Sequence, residues 1–483
     1  MKKHKMSFPL KGKDPEELIP YLREAKQKDA SWETGKMFGY VYYTDAQKAE
    51  VMKTVYELYG YENAINPLIF NSIVRLENDI ADMVSDLLNG DEDVAGSVTT
   101  GGTESILLAL KVARDRNRRL HPEMTHPEII VPESAHPAFH KAAHYLGLKT
   151  VTMPLSKHYQ ADLTHLPELV SKNTILIAGS APSYPHGIVD PIEEMGQFAS
   201  DHDLLFHVDA CLGGFMLPFI EKLGYPVPLF DFRVKGVTSI SADLHKFGYG
   251  MKGSSVILYR NRDMRRDQFF THCRWSGGLF GSSTLMGSRS CAPIAAGWTI
   301  LNLLGYEGYF TMTQKTMEAT EKLKNGILST EGLRIVGNPL TSVFSFTSDQ
   351  QDIFLISDIL ESRGWVFDRI AEPKAIHLIV TVPNIGHIDE FLHDLKNAVD
   401  SARGIKLSKI TIGIGRKMAG KLLGAFPKKA PGLLGPLAAR MANKSGSEKG
   451  KISSTFYGIA STGGKISDMD EMITNFLDNI YSN

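Results

Sequence analysis

Lys246 follows His245 directly and precedes a glycine-rich turn, Phe247-Gly248-Tyr249-Gly250, downstream of the apolar run Val237 to Ile240. A primary amine held on such a turn condenses with a carbonyl to form an imine. Far upstream, Thr100-Gly101-Gly102-Thr103-Glu104-Ser105 leads into a helical apolar pattern, Ile106 to Val112. Glycines let a backbone approach a phosphate, and a helix N-terminus offers free N–H groups and a positive dipole end. Thr103 is placed to cap that helix and donate its hydroxyl. Between the two, Leu204-Leu205-Phe206-His207-Val208-Asp209-Ala210 reads as a buried strand with a carboxylate at its C-terminal end. Such a carboxylate pairs with a ring nitrogen and keeps it protonated. Each piece alone has a plain reading: a solvated lysine, a capped loop, a turn-capping Asp. The three in this order describe a pocket for pyridoxal phosphate, with Gly102, Thr103 and Glu104 at its phosphate and Asp209 at its nitrogen.

Elements of two kinds must position these groups. From Asn63 to about Trp298, helical patterns alternate with short apolar runs such as Ile129-Ile130-Val131, Thr150-Val151-Thr152, Ile175-Leu176-Ile177 and Ser255-Val256-Ile257-Leu258. That alternation predicts an α/β fold with a mostly parallel sheet and crossover helices. Ligands of open α/β sheets bind at the C-terminal ends of the strands, where Asp209 falls. Beyond it, runs near Leu333 to Val336, Val343 to Phe346 and Ile376 to Val380 predict strands of a smaller α+β domain, with helices near Gln351 to Ser362, Ile388 to Ala402 and Asp468 to Tyr481. The expected division is an N-terminal arm over 1–62, a large domain over 63–300 and a small domain over 301–483.

The balance of 53 basic against 54 acidic residues argues against a nucleic-acid partner. Three cysteines without framework spacing point to a reducing, cytoplasmic setting. No run of 18 apolar residues provides a membrane span, and no signal-peptide core follows Met1. One stretch departs from the rest: residues 403–451 hold twelve Lys and Arg against the single acid Glu448. Met418, Leu422 and Phe426 recur there every fourth residue with Lys417, Lys421 and Lys428 beside them. Two readings stand: a basic amphipathic segment docking on an anionic membrane surface, or a solvated surface insertion.

Ser134-Ala135-His136, Pro185-His186-Gly187, His207 to Phe215 and Phe232 to Ser241 carry a more specific likeness. Over about Gly39 to Gly305, and again near Phe456-Tyr457-Gly458, the chain resembles the sphingosine-1-phosphate lyases, a branch of the group II decarboxylase-like enzymes. The resemblance implies the fold type I architecture of such enzymes, with a seven-stranded type of sheet covered by helices on both faces. It also implies a homodimer with composite sites. No membrane anchor is expected, and in this the chain resembles the soluble bacterial members.

Carried over residue by residue, the resemblance places His136 over the cofactor ring, His245 at its phosphate, and Ser288 at the phosphate of the neighbouring subunit. His207 shares a strand face with Asp209 and is expected to orient it. The substrate phosphate falls to Tyr42, Asn63, Asn66 and Lys252. Asn66 stands where the family has a histidine, unless Asn66-Pro67-Leu68 is itself the family's Asn-Pro-Leu shifted by one turn. Lys252 is expected to lower the amine pKa of Lys246 by like charge. The implied reaction is retro-aldol cleavage of a phosphorylated long-chain base to a long-chain aldehyde and phosphoethanolamine, with the proton acceptor for the C3 hydroxyl undetermined. The alternative is a pyridoxal-dependent amino-acid decarboxylase, sharing Thr103, His136, Asp209 and Lys246. No metal is expected.

Overall fold

The structure, a computed structural model, describes residues 7–27, 29–404, 470, 473–474 and 477–478. The basic stretch from 405 onward and most of the helix expected over 468–481 lie outside them.

Seven strands form the large sheet: β1 (Ala95–Thr99), β2 (Glu128–Pro132), β3 (Lys149–Met153), β4 (Thr174–Ser180), β5 (Leu205–Asp209), β6 (Ser239–Ala242) and β7 (Ser255–Tyr259). Their order is β1-β7-β6-β5-β4-β2-β3. From β6 through β3 all pairings are parallel, and β7 alone runs against its two neighbours. The central strands are buried from end to end, which explains their unbroken apolar runs. Their alternation sorts side chains between two cores. Ile130, Ile177, Val208 and Ile240 face one, and Ile129, Val131, Leu176 and Ala178 face the other.

Two more sheets follow. A hairpin of β8 (Phe270–Trp275) and β9 (Gly278–Ser282) stands out from the body with almost every residue exposed. The small sheet is antiparallel, ordered β10-β11-β13-β12 (Leu333–Ile335, Val343–Ser348, Ala375–Ile379 and Asp368–Ile370). Helices Ile353–Ser362 and Ile388–Gly404 contribute Phe354, Ile356, Phe391 and Leu395 to the core on this sheet. A long helical run, Ala292–Leu328, joins the two halves and is broken at Gly305, where the backbone turns to φ 54.

Part of the N-terminal segment is tied to the small domain. Phe38 N–H donates to Val366 O at 2.9 Å, and Asn384 Nδ2 donates to the carbonyls of Gly35 and Met37. Phe38 then fills the small core beside Trp365 and Phe391. Residues 36–43 therefore run from the small core, which holds Phe38, to the large one, which holds Tyr42. The helix Pro15–Lys26 differs: Asp14 caps it, but none of its residues is buried, and Leu18, Ile19, Tyr21 and Leu22 are exposed.

Candidate active site

The C-terminal ends of β5 and β6 build the floor. Parallel pairing sets His207 beside Ser239 and Asp209 beside Ser241, so alternate residues of the two strands face one side. His207 Nδ1 lies 2.9 Å from Ser239 Oγ, and its Nε2 lies 3.3 Å from Ser241 Oγ. Ser241 in turn donates to Asp209 Oδ1 at 3.3 Å, which also accepts from Cys211 N–H at 3.1 Å. His207 thus reaches the carboxylate through Ser241 rather than directly. Burial pulls its pKa to about 4, so it stays neutral as part of this chain.

Just past β6 the backbone turns sharply. Gly250 N–H closes on Leu244 O at 2.7 Å, Tyr249 N–H on Lys246 O at 2.9 Å, and buried Tyr309 Oη donates to Gly248 O at 2.6 Å. This fixes Lys246, whose Nζ pairs with Asp243 Oδ2 at 2.9 Å. Burial alone would lower the lysine pKa, but the carboxylate of Asp243 outweighs it, assisted by Cys211, Tyr42 and Asp209, and holds the amine well above its ordinary value. The expected depression of Lys246 by Lys252 is therefore not what this geometry gives. The effect falls on Lys252 instead, lowered by burial and then by the Lys246 charge.

Lys252 donates to the carbonyl of His245 at 3.2 Å and stands 5.2 Å from the ring centroid of Tyr42. Tyr42 is buried edge-on against Phe247, 5.0 Å between centroids, and burial keeps its phenol protonated. Of the tyrosines at 40, 42 and 43, Tyr42 is the one set against Lys252. Tyr40 instead donates to Asp368 of β12, as does Tyr184.

Gly101 and Gly102 open the helix Gly102–Leu120 across from Lys246. A Cβ on Gly102 would fall 2.7 Å from Cys211 Sγ and 2.9 Å from Asp243 Oδ1, so the backbone here approaches the floor as no other residue could. The N-cap is Gly101 with no side-chain cap, and Thr103 lies exposed in the first turn, not at the capping position assigned from sequence. Glu104 is buried and engaged structurally: it accepts from Thr100 N–H and hydroxyl at 2.7 and 2.6 Å and from Leu285 N–H at 2.8 Å. His245 Nδ1 accepts from Ser254 N–H at 3.3 Å, leaving Nε2 to carry the proton 3.6 Å from Asp243. His136 accepts the Ala138 N–H on Nδ1 at 3.2 Å, with Tyr184 edge-on at 6.4 Å; burial lowers its pKa below the ordinary value.

Asn63, Asn66 and Ser288 sit apart from this cluster. Asn63 Nδ2 donates to Ser288 Oγ at 3.0 Å, and its Oδ1 accepts from the N–H groups of Ile65 and Arg289. Asn66 is exposed and turns its own loop, accepting from Leu68 N–H at 3.0 Å. Three residues not singled out from the sequence belong to the site: Ser241, Asp243 and Tyr184. The first two were legible in Ser239-Ile240-Ser241-Ala242-Asp243, whose period of two sets three polar groups on one face. Tyr184 had no local signal, since its partners His136 and Asp368 are remote in sequence.

The donor set fits pyridoxal phosphate. A glycine approach at a helix N-terminus faces a lysine amine, with an oriented carboxylate on the floor and an imidazole at the side. A Gly102→Ala substitution is expected to weaken cofactor binding at least tenfold, about 1.4 kcal/mol, because the methyl overpacks Cys211 and Asp243. Titration of the cofactor absorbance checks this.

Comparison with known proteins agrees. Residues 42–348 match the pyridoxal-dependent decarboxylase conserved domain. The sphingosine-1-phosphate lyase of Arabidopsis thaliana is 41% identical over 404 residues, 82% of this chain and 74% of that protein. The solved structure of the Burkholderia pseudomallei sphingosine-1-phosphate lyase is 39% identical with a TM-score of 0.80, covering 85% of this chain and 96% of the other. The glutamate decarboxylase of Lactobacillus brevis shares the fold at a TM-score of 0.72 and 20% identity, over 82% of this chain and 95% of that one. The chain belongs to the sphingosine-1-phosphate lyase family, within the pyridoxal-dependent decarboxylase-like enzymes.

Proposed function

We propose that the chain cleaves the Cα–Cβ bond of a phosphorylated long-chain amino alcohol of the sphingosine 1-phosphate type. The products are a long-chain aldehyde and phosphoethanolamine. The observation that carries this reading is Lys252, a second cation fixed beside Lys246 and against Tyr42. An amino-acid decarboxylase does not need an ammonium group there for a phosphate ester.

Bound pyridoxal phosphate supplies the electron sink for the bonding pair left at Cα. The remaining work belongs to the chain. Lys246 would hold the cofactor through its side-chain amine and give up its place there to the substrate amine. Asp209, oriented by Ser241 and Cys211 N–H, keeps a positive charge on the ring nitrogen. Gly101, Gly102 and His245 would hold the cofactor phosphate, and His136 would cover the ring. Lys252 and the protonated Tyr42 hydroxyl bind the substrate phosphate. The C3 hydroxyl loses its proton as the carbon–carbon bond breaks, and Cα regains one. Incubation with sphingosine 1-phosphate and with a panel of amino acids tests the reading: aldehyde release supports it, and carbon dioxide from an amino acid alone overturns it.

Asn63, Asn66 and Ser288 enter this reading through a second copy. Ser288 is exposed beside Leu285 and Met286 and near the bare hairpin of β8 and β9, which displays Phe270, Trp275 and Leu279. An apolar surface of this kind marks an interface. A homodimer is the expected state, with a sedimentation mass twice that of the chain; a monomer at micromolar concentration sinks the composite site. No helix among the described residues is long and apolar enough to cross a membrane. For 403–451, peripheral docking requires slowed hydrogen exchange at 405–426 on anionic vesicles.

A further inference from the structure

Asp243 has no role in the chemistry so far, yet it is the most buried charge beside Lys246. Its side chain is 2% exposed. Oδ2 lies 2.9 Å from Lys246 Nζ and 3.6 Å from His245 Nε2. Oδ1 is buried and has no hydrogen-bond partner. That orphan oxygen would lie 2.9 Å from a Cβ on Gly102, so it stands against the first residue of the phosphate-facing helix.

The titratable groups around it leave one counter-charge of consequence. His245 is held neutral at about 4 by burial, and Tyr42, Cys211 and His136 are neutral as well. Lys252 acts on Asp243 from further off. Burial pushes the Asp243 carboxyl up, but the Lys246 charge, assisted by His245 and by a hydrogen bond from the Ser255 side chain, brings it below the ordinary carboxylate value. The Lys246 charge is thus the largest single support for the ionised carboxylate.

Two events act together against that ionised state. Lys246 must shed a proton before its nitrogen can bond to a carbonyl carbon. A phosphate brought to Gly102 also sets a second anion beside Asp243 in a poorly hydrated site, where two close anions do not both stay ionised. We propose that Asp243 is the proton store of this lysine. It takes the proton Lys246 gives up on cofactor loading, holds it as a neutral acid that donates through Oδ1 toward the phosphate, and returns it when the substrate amine displaces the lysine. Of the three hydrogens on the ammonium, one moves to Asp243; the other two leave with the carbonyl oxygen as water as the carbon–nitrogen bond forms. Asp243 is a positioning residue acting through Lys246.

This rests on Lys246 being the cofactor lysine, and the test separates the two ideas. Calorimetric loading of the cofactor-free chain with pyridoxal phosphate, in buffers of different ionisation enthalpy, counts protons exchanged with solvent. Asp243→Asn keeps the shape and a donor but cannot store the proton. Loaded at a pH below that at which the variant's own lysine titrates, it is expected to release about one proton more per site than the unaltered chain. Equal counts overturn the proposal. Should the variant not fold, infrared difference spectra of the unaltered chain with isotope-labelled aspartate serve instead. Cofactor addition is expected to bring up a protonated-carboxyl band that moves with the label, and its absence overturns the proposal. If no cofactor absorbance or binding heat appears at all, the lysine assignment itself fails, which neither proton readout can mimic.

Discussion

Lys246→Ala is expected to abolish cleavage and the attached-cofactor absorbance, and also to destabilise the chain by about 3 kcal/mol at neutral pH. The second effect comes from Asp243. With its side chain 2% exposed and its cation gone, the carboxylate is a buried, unpaired charge. Its folded-state pKa then rises above the unfolded value, where Lys246 had held it lower. A carboxyl raised in the folded state carries no penalty below its unfolded pKa and a growing one as pH climbs through the folded value. The unaltered chain behaves oppositely: its ion pair contributes above the unfolded carboxylate pKa and is lost on acidification. The gap in stability between the two should therefore close as pH falls toward about 4. Denaturant melts at several pH values measure it. Lys246→Arg separates the effects, because the guanidinium keeps the ion pair without forming the imine: stability is retained and activity lost. An alanine variant as stable as the parent at every pH removes the ion pair from the account, and one that still cleaves removes Lys246 as the cofactor lysine.

The proposed cofactor floor was legible because its chemistry is local. Lys246, Asp209 and Gly102 each lie at the end of an element whose period is visible within a few residues. The core strands read from their apolar runs for the same reason. What escaped lies on long-range contacts. Residues 36–43 give no sign that Phe38 belongs to the small core while Tyr42 belongs to the lysine site; only the pairing of 38 with 366 shows it. Strand β1 was missed because Ala95-Gly96-Ser97-Val98-Thr99 is small and half polar. Its pairing depends on β7, which a Cβ at Gly96 would strike at Leu258. The loop that carries Tyr184 is shaped by Gly187 (φ 69), where a Cβ would fall 1.8 Å from Val343 O of β11. The glycine at 187 was noticed as part of a motif, but its reason is a contact with the other half of the molecule. Thr103 failed as a cap because Gly101, not a side-chain oxygen, ends the loop. The lysine coupling came out on the wrong member of the pair because an unread carboxylate, Asp243, sits on the Lys246 side of it.

Lys252→Ala bears most directly on which substrate the site takes. Its ammonium donates to one backbone carbonyl and rests over the Tyr42 ring, so its removal leaves no buried group of the protein charged and unpaired. The fold and the cofactor absorbance should therefore be unchanged. Cleavage of a phosphorylated substrate should lose about 10²-fold in kcat/KM, the worth of one charge-assisted hydrogen bond of roughly 2.7 kcal/mol. The split between constants tells what kind of residue it is. A group that anchors the phosphate equally in ground and transition states raises KM and leaves kcat alone. A group that takes the hydroxyl proton lowers kcat at constant KM. Burial and the Lys246 charge both lower the Lys252 pKa, so the second outcome has a physical route of its own. Unchanged kinetics with a phosphorylated substrate would leave the phosphate to Tyr42 and the Asn63 loop, and would take from the lyase reading the side chain on which it stands.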